Sequence, residues 1–565
     1  MIQYATTVNF KKIINTLLCF FILFCASRTL FAEKMLSEKV PLEKIPLEIA
    51  PEEISSEQTS LKEAWKTLSS KNYTRKAHAI ERIVEENPAQ AYTALNALLN
   101  GELYYAKADK QLYLMQETGE HYTFTPLFNG EPVTQERKRG FKKARVNNRL
   151  RSQIRQALAI MQLKSDDADI RLTALQELLK NPQLETAQNI KELLHNENDA
   201  RVLATLRTLL AITALEYGDK AAQKEAIKIL AGSLNNSAMN ALTHYQTSDK
   251  TLENSAQVAI DHINEKRDMY AHAETVFFGL SLGSVLALSA IGLAITFGVM
   301  GVINMAHGEL MMIGAYTTYV IQLLMPEQIA LSIIVAIPCA FMISGLAGIA
   351  IERSVIRHLY GRPLETLLAT FGVSLILQQT VRSIFSPLNR SVETPQWMSG
   401  AWQINDVLAL TWNRFYIIFF CLMVFISLIL VMKKTPLGLQ VRAVSQNRTM
   451  ARAMGVRSEW VDALTFGLGS GIAGLAGVAL SLLTNVGPNL GQAYIIDSFM
   501  VVVFGGVGNL WGTLVAGMGL GIINKILEPW AGAVLSKILL LIFIILFIQK
   551  RPRGLFPQRG RAAED

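Results

Sequence analysis

Polar groups inside apolar stretches are where this sequence could do chemistry. The run Gly301-Val-Ile-Asn304-Met-Ala-His307-Gly308-Glu309 sets an amide, an imidazole and a carboxylate at the head of an apolar segment that continues through Gly314-Ala315-Tyr316. Ionisable groups in such a segment are costly to bury and normally face a cavity or a partner. Gly301, Gly308 and Gly314 allow a broken helix or close backbone approach, by which transporters present polar backbone at depth. Hydration at the membrane face is the alternative for His307 and Glu309. A second cluster follows Leu364-Glu365, with Thr370, Gly372, Ser374, Gln378 and Gln379, and Arg382 at its end. Hydroxyls and amides there can join helix to helix or line a polar path. Two adjacent glutamines cannot both face one neighbouring helix, which favours the path. A third polar stretch, Thr484-Asn485-Val-Gly-Pro488-Asn489-Leu-Gly491-Gln492, leads to Asp497. The pathway candidates are therefore Asn304, His307, Glu309, Gln378, Gln379, Asn485 and Asn489. Their chemistry is recognition of a polar solute.

Bond-making chemistry has no comparable signature. GxxxxGK[ST] and HExxH patterns are missing, so the chain reads as neither an ATPase nor another enzyme. Of the four cysteines, Cys19 and Cys25 fall in an N-terminal apolar run and Cys339 and Cys421 in later ones. Their spacing suits no metal, and we expect no disulfide, no metal site and no cofactor in this chain. The net charge of +8 sits in loops beside apolar runs, which marks membrane orientation rather than nucleic-acid binding.

From Ala273 onward the chain reads as a polytopic helical membrane domain, 273–565. About 20 apolar residues are needed per crossing. Candidate spans are Thr275–Phe297, Val302–Leu324, Ile329–Ile351, Leu364–Ile384, Phe415–Met432, Val461–Leu483, Tyr494–Phe504, Trp511–Leu527 and Val534–Ile548. The seventh is short. An odd number of crossings places Arg353, Arg357 and Arg362, the loop Lys433–Arg457 and the basic C-terminal tail together in the cytoplasm, with the N-terminal half exported. Phe466–Gly477 is rich in small residues, with Gly467 and Gly471 in GxxxG register, and reads as tight helix packing. Gly-Val-x-Asn occurs at 301–304 and again at 506–509, a hint of internal duplication.

The N-terminal half is different. Lys11-Lys12 and Ile13–Ala26 form a signal-peptide pattern, giving 1–32 as a signal peptide with cleavage after Ala32; a retained anchor is the alternative. A Pro/Glu/Ser-rich linker occupies 33–60. Helical spacing from 61 to 268 is interrupted by strand-like runs near 101–133, a small β-insert. Asp169-Ile-Arg171 recurs thirty residues on as Asp199-Ala-Arg201, with a weaker copy near Gly218-Asp219. Such repeats suggest a HEAT-like helical solenoid with a surface for protein partners, or a purely architectural one. The fold class is thus membrane all-α, preceded by an exported, mainly α domain.

The loop Lys433–Arg457 carries six Lys/Arg and no Asp or Glu. Thr435-Pro436 starts a turn, Gln446–Ala453 has good helix formers, and Gly455 offers a stop. A short amphipathic helix there suits docking of a soluble partner, whereas a plain topology signal is the alternative.

Gly438, Arg442-Ala443, Asn447, Ala451 and Gly455 resemble the coupling loop of the branched-chain amino acid ABC permeases, the segment that meets the ATPase. The segment from Asn304 to Tyr316 is similar to the same family. Within it, the runs at 362–379, 485–492, 497–513 and 548–556, and Arg145–Arg151 in the helical domain, look most like urea ABC transporter permeases. The resemblance implies a bacterial inner-membrane permease subunit moving urea or a short amide, with a branched-chain amino acid permease as the alternative and a passive urea channel as a further rival. It also implies a second permease subunit, two ATPase subunits that carry the ATP, a periplasmic substrate-binding protein and surrounding membrane lipid. Coupling would then run through Gly438, Arg442, Ala443, Gln446, Asn447, Ala451 and Gly455.

Overall fold

Helix caps and small residues set the architecture of this chain. The computed structural model describes residues 61–556, apart from 71, 87, 119–120, 129–130, 136–139, 185–186 and 188–189. The signal peptide and linker expected over 1–60 lie outside the described residues. Two compact units divide between Ile263 and Asn264.

In the first unit, α1 (Leu61–Thr67), α2 (Tyr73–Glu86) and α3 (Pro88–Asn100) pack Leu68, Ile80, Ile83, Leu95 and Leu98 into a core shared with Leu150 and Ile154. A five-stranded antiparallel sheet follows, in the order β4-β3-β2-β1-β5, from Leu103–Ala106, Leu112–Thr118, His121–Pro126, Val133–Gln135 and Phe141–Lys143. The insert therefore runs to Lys143 and not to 133. Its last two strands have three residues each and lie in a stretch rich in Lys, Arg and Glu, where no apolar alternation announces them.

Helices resume as α4 (Asn148–Gln162), α5 (Ala168–Leu178), α6 (Leu193–Asn196), α7 (Ala200–Tyr217), α8 (Lys220–Ala231) and α9 (Asn236–His244). Asn147, Asp167, Asp199, Asp219 and Asn235 accept the orphan backbone N–H groups at five of these starts. The cap before α5 is Asp167, so Asp169 and Asp199 are not equivalent positions. Charge nevertheless links the two copies. Arg171 donates to both Glu197 oxygens at 2.7 and 2.8 Å, and Arg201 reaches Asp169 at 2.9 Å. The paired Asp-x-Arg segments thus bond between successive helices as well as within them.

The second unit contains the end of α10 (Lys250–Met300), then α11 (His307–Leu324), α12 (Ile329–Ser354), α13 (Pro363–Phe385), α14 (Trp412–Lys434), α15 (Pro436–Gln446), α16 (Arg448–Ala453), α17 (Ser458–Ser481), α18 (Leu490–Gly505) and α19 (Leu510–Lys550). A two-stranded hairpin, Ala401–Gln403 with Ala409–Thr411, precedes α14. Among the described residues six helices are long and apolar enough to cross a membrane: α10, α12, α13, α14, α17 and α19. At 1.5 Å per residue the 41 residues of α19 are about twice the length one crossing needs. Gly532, at φ +74°, breaks it where the sequence separates two spans. The span expected from Val302 begins as helix only at His307, because Gly301 at φ +66° turns the chain out of α10.

Helix α17 is the hub. Val461 and nearly every residue from Thr465 to Ser481 are buried. Its small-residue face lets neighbouring backbones touch: a Cβ on Gly314 of α11 would collide with the backbone of Gly474. Without a hydrophobic drive between helices in lipid, such close van der Waals contact is what holds them.

Candidate functional site

Asn304 lies in the non-helical link before α11, its Oδ1 accepting from the Ala306 N–H at 3.0 Å. This local turn starts the helix and delivers His307 and Glu309 to its first turn, both fully buried. Helix α13 lies alongside. Its Thr370 hydroxyl accepts from the Met305 N–H at 3.1 Å, and one and two turns further Ser374 and Gln378 face α11. Gln378 Nε2 donates to Glu309 Oε1 at 2.7 Å and Ser374 Oγ donates to the same oxygen at 3.1 Å. Glu309 Oε2 has no partner, and neither has Asn304 Nδ2. His307 Nε2 bonds the Ser289 carbonyl at 2.9 Å, leaving Nδ1 buried and unpaired. Ser289 in turn meets Ser498 at 2.6 Å.

The structure therefore brings Asn304, His307, Glu309 and Gln378 to one region where α10, α11 and α13 meet. Gln379 is exposed on the other side of α13. Asn485 is exposed in the link between α17 and α18. Asn489 instead bonds Arg382 on α13, whose guanidinium donates to Asn489 Oδ1 at 2.6 Å. Ser374 and Ser289 complete the polar contacts. Ser374 shares the helical face of Gln378 four residues on, a signal that was available; Ser289 sits in an apolar run with nothing to single it out.

A second arrangement lies at the Lys433–Arg457 segment. Two helices, α15 and α16, replace the single one expected, and Gln446 ends the first. Asn447, extended between them, caps α16 by accepting from the Met450 N–H at 2.9 Å. Gly438 lies against the Met432 backbone where no Cβ fits, and Arg442 donates to the Met432 carbonyl. Ala443 flanks a small core of Val441, Val444, Ala451 and Val461. Ala451 thus packs within this chain, at 5% exposed, and does not present itself to a partner. Arg448 is likewise occupied. It pairs with Asp462 and lies over the Tyr360 ring at 4.0 Å. The outward apolar groups are Leu439, Met450 and Met454, 64%, 58% and 82% exposed, the last just before Gly455 at φ +89°.

The site thus combines a buried polar cluster between apolar helices with a packed helix pair between two helices long enough to cross a membrane. Residues 275–548 match the family model described as branched-chain amino acid transport system / permease component. The chain is 28% identical to the high-affinity branched-chain amino acid transport system permease protein BraD of Pseudomonas aeruginosa, over 51% of this chain and 96% of that protein. It is 29% identical to the corresponding permease protein LivH of Escherichia coli K12, over 50% and 94%. The ribose import permease protein RbsC of Haemophilus influenzae is 21% identical over 43% and 74%. No solved structure matches significantly. The membrane half is a permease component of an ABC-type transporter, related to the branched-chain amino acid permeases. The match does not extend to the first 274 residues.

Proposed function

We propose that this chain imports a small solute rich in hydrogen-bonding groups, as the permease subunit of an ABC importer in a bacterial inner membrane. One observation carries the proposal: Glu309, buried between α11 and α13, has one oxygen held by Gln378 and Ser374 and the other free. An unsatisfied buried acceptor is costly, and a solute N–H would relieve it. A branched-chain amino acid is the substrate that the relatives favour, its ammonium group meeting Glu309. Urea is the second reading, supported by the runs at 362–379 and 485–492 and by its paired NH2 donors. Uptake of radiolabelled leucine and urea by vesicles containing the assembled transporter, with and without ATP, decides between them. ATP-independent urea flux would instead support a channel.

In this reading α15 and α16 face the cytoplasm and couple to a partner ATPase, with Met450 and Met454 as the apolar contacts. The same topology would put the first unit in the periplasm, where its helical repeats, HEAT-like in pattern, would meet a substrate-binding protein. A second permease subunit and two ATPase subunits complete the assembly.

A further inference from the structure

Above Glu309, at the end of the bundle away from α15 and α16, two more donors lack acceptors. Tyr316 is on the same face of α11, two turns on, and is 3% exposed with its hydroxyl unpartnered. Its ring packs against Phe385, the last residue of α13, at 4.8 Å between centroids. The chain then leaves α13 at Ser386, with φ +74°, and crosses back over this point. Arg390 is fixed there by its backbone. Its N–H donates to the Val486 carbonyl at 2.7 Å, and its carbonyl accepts from the Val486 N–H at 2.8 Å. Three residues on, Gln322 at the end of α11 clasps the Glu393 backbone, accepting at 2.8 Å and donating at 2.9 Å. The Arg390 side chain gives one bond, Nη2 to the Phe385 carbonyl at 3.2 Å, while its buried Nε has no partner.

We propose that the Tyr316 hydroxyl and Arg390 Nε form an outer subsite for an oxygen acceptor of the solute, either a carboxylate or a neutral carbonyl. The inference rests on the importer reading and deepens it. Two buried donors on residues that both contact Phe385 are a poor structural choice when nothing accepts from them, because each forfeits its bonds to water. A bound oxygen satisfies both. Glu309 lies deeper along the α11–α13 seam as an acceptor, so the two positions read opposite ends of a solute. The fixed backbone of the Arg390 segment holds the guanidinium in place for this task, as a preorganised site requires.

The test uses the complete transporter in vesicles, with radiolabelled L-leucine and urea as separate probes. Tyr316→Phe removes only the hydroxyl, and Arg390→Gln removes the charge while keeping the backbone bridge. For leucine, loss of a charge-assisted bond should raise KM on the order of 10- to 100-fold with kcat little changed. For urea, whose carbonyl is neutral, the rise should be about 2- to 10-fold. Excess L-leucinamide, which lacks the carboxylate, should compete with leucine poorly in the first case. Because the hydroxyl has no protein partner, Tyr316→Phe should leave the thermal midpoint of the solute-free transporter unchanged. Wild-type KM in both variants, or a lowered midpoint in Tyr316→Phe with KM unmoved, overturns the subsite. Absence of ATP-driven uptake of either probe by the unmodified transporter overturns the importer reading instead.

Discussion

The side-chain amide of Gln378 meets the carboxylate of Glu309 at 2.7 Å, joining the first turn of one membrane helix to the middle of another. Its neighbour Gln379 points away. The pair therefore gives a matched control. Glu309→Gln keeps size and hydrogen-bonding capacity but removes the charge, and should lower ATP-dependent uptake about 10-fold or more, given what charged hydrogen bonds contribute. Gln379→Ala should leave uptake within about twofold, the usual range for a surface change. Assembly is checked by copurification of the ATPase. Normal transport by Glu309→Gln would sink the proposed pathway.

Coupling separates in the same way. Met454→Asp places a charge on an exposed side chain, so the permease should keep its stability and lose solute-stimulated ATP hydrolysis. Ala451→Asp instead drives a carboxylate among Val441, Val444 and Val461. That costs several kcal/mol and should lower the thermal midpoint of the permease itself. Full stimulation in Met454→Asp would leave these helices as a topology signal only.

In the first unit, the bond from Arg171 holds the Glu197 carboxyl below its ordinary pKa. A depressed folded pKa gives stability that is present above the unfolded value, roughly pH 4.3, and lost as pH falls through the folded one. Glu197→Gln should therefore increase hydrogen exchange in α5 and α7 at pH 7. The difference from the unmodified protein should shrink below about pH 4, as the carboxylate is titrated. A gap that is the same at both pH values would show that the pair contributes no linkage.

Membrane sidedness is tested by two single cysteines in a chain whose native cysteines are replaced. With Lys224→Cys in the helical unit and Met454→Cys beside α16, an impermeant maleimide applied to intact cells should label the first alone. Labelling of the second reverses the topology and separates α16 from any cytosolic ATPase.

Much of this could be read from the residues. The spans, the break between Leu527 and Val534, and the Asn304–Glu309 cluster follow from apolar length and misplaced polarity, which are local properties. Which way a side chain faces is not local. The sequence gives Ala451 and Met454 equal claim to an outward position; only packing against Val461 settles the first. Gln378 and Gln379 could be told apart only by the position of α11. Tyr316 and Arg390 carry no local mark of a subsite, because an aromatic in a span and a base in an outer loop are ordinary, and the backbone bridge from Arg390 to Val486 joins distant segments.

One last contact bears on how the protein is made. Asp497 lies in the 16-residue α18 and pairs at 2.9 Å with Lys537, beyond the Gly532 break in α19. A carboxylate in so short an apolar helix is poorly suited to stay in lipid by itself. Its counter-charge is synthesised afterwards, within the final membrane segment. Biogenesis of the bundle is therefore gated from its end: α18 reaches a charge-balanced seat only after the ribosome has passed Lys537, and a nascent chain halted earlier carries an unpaired acid.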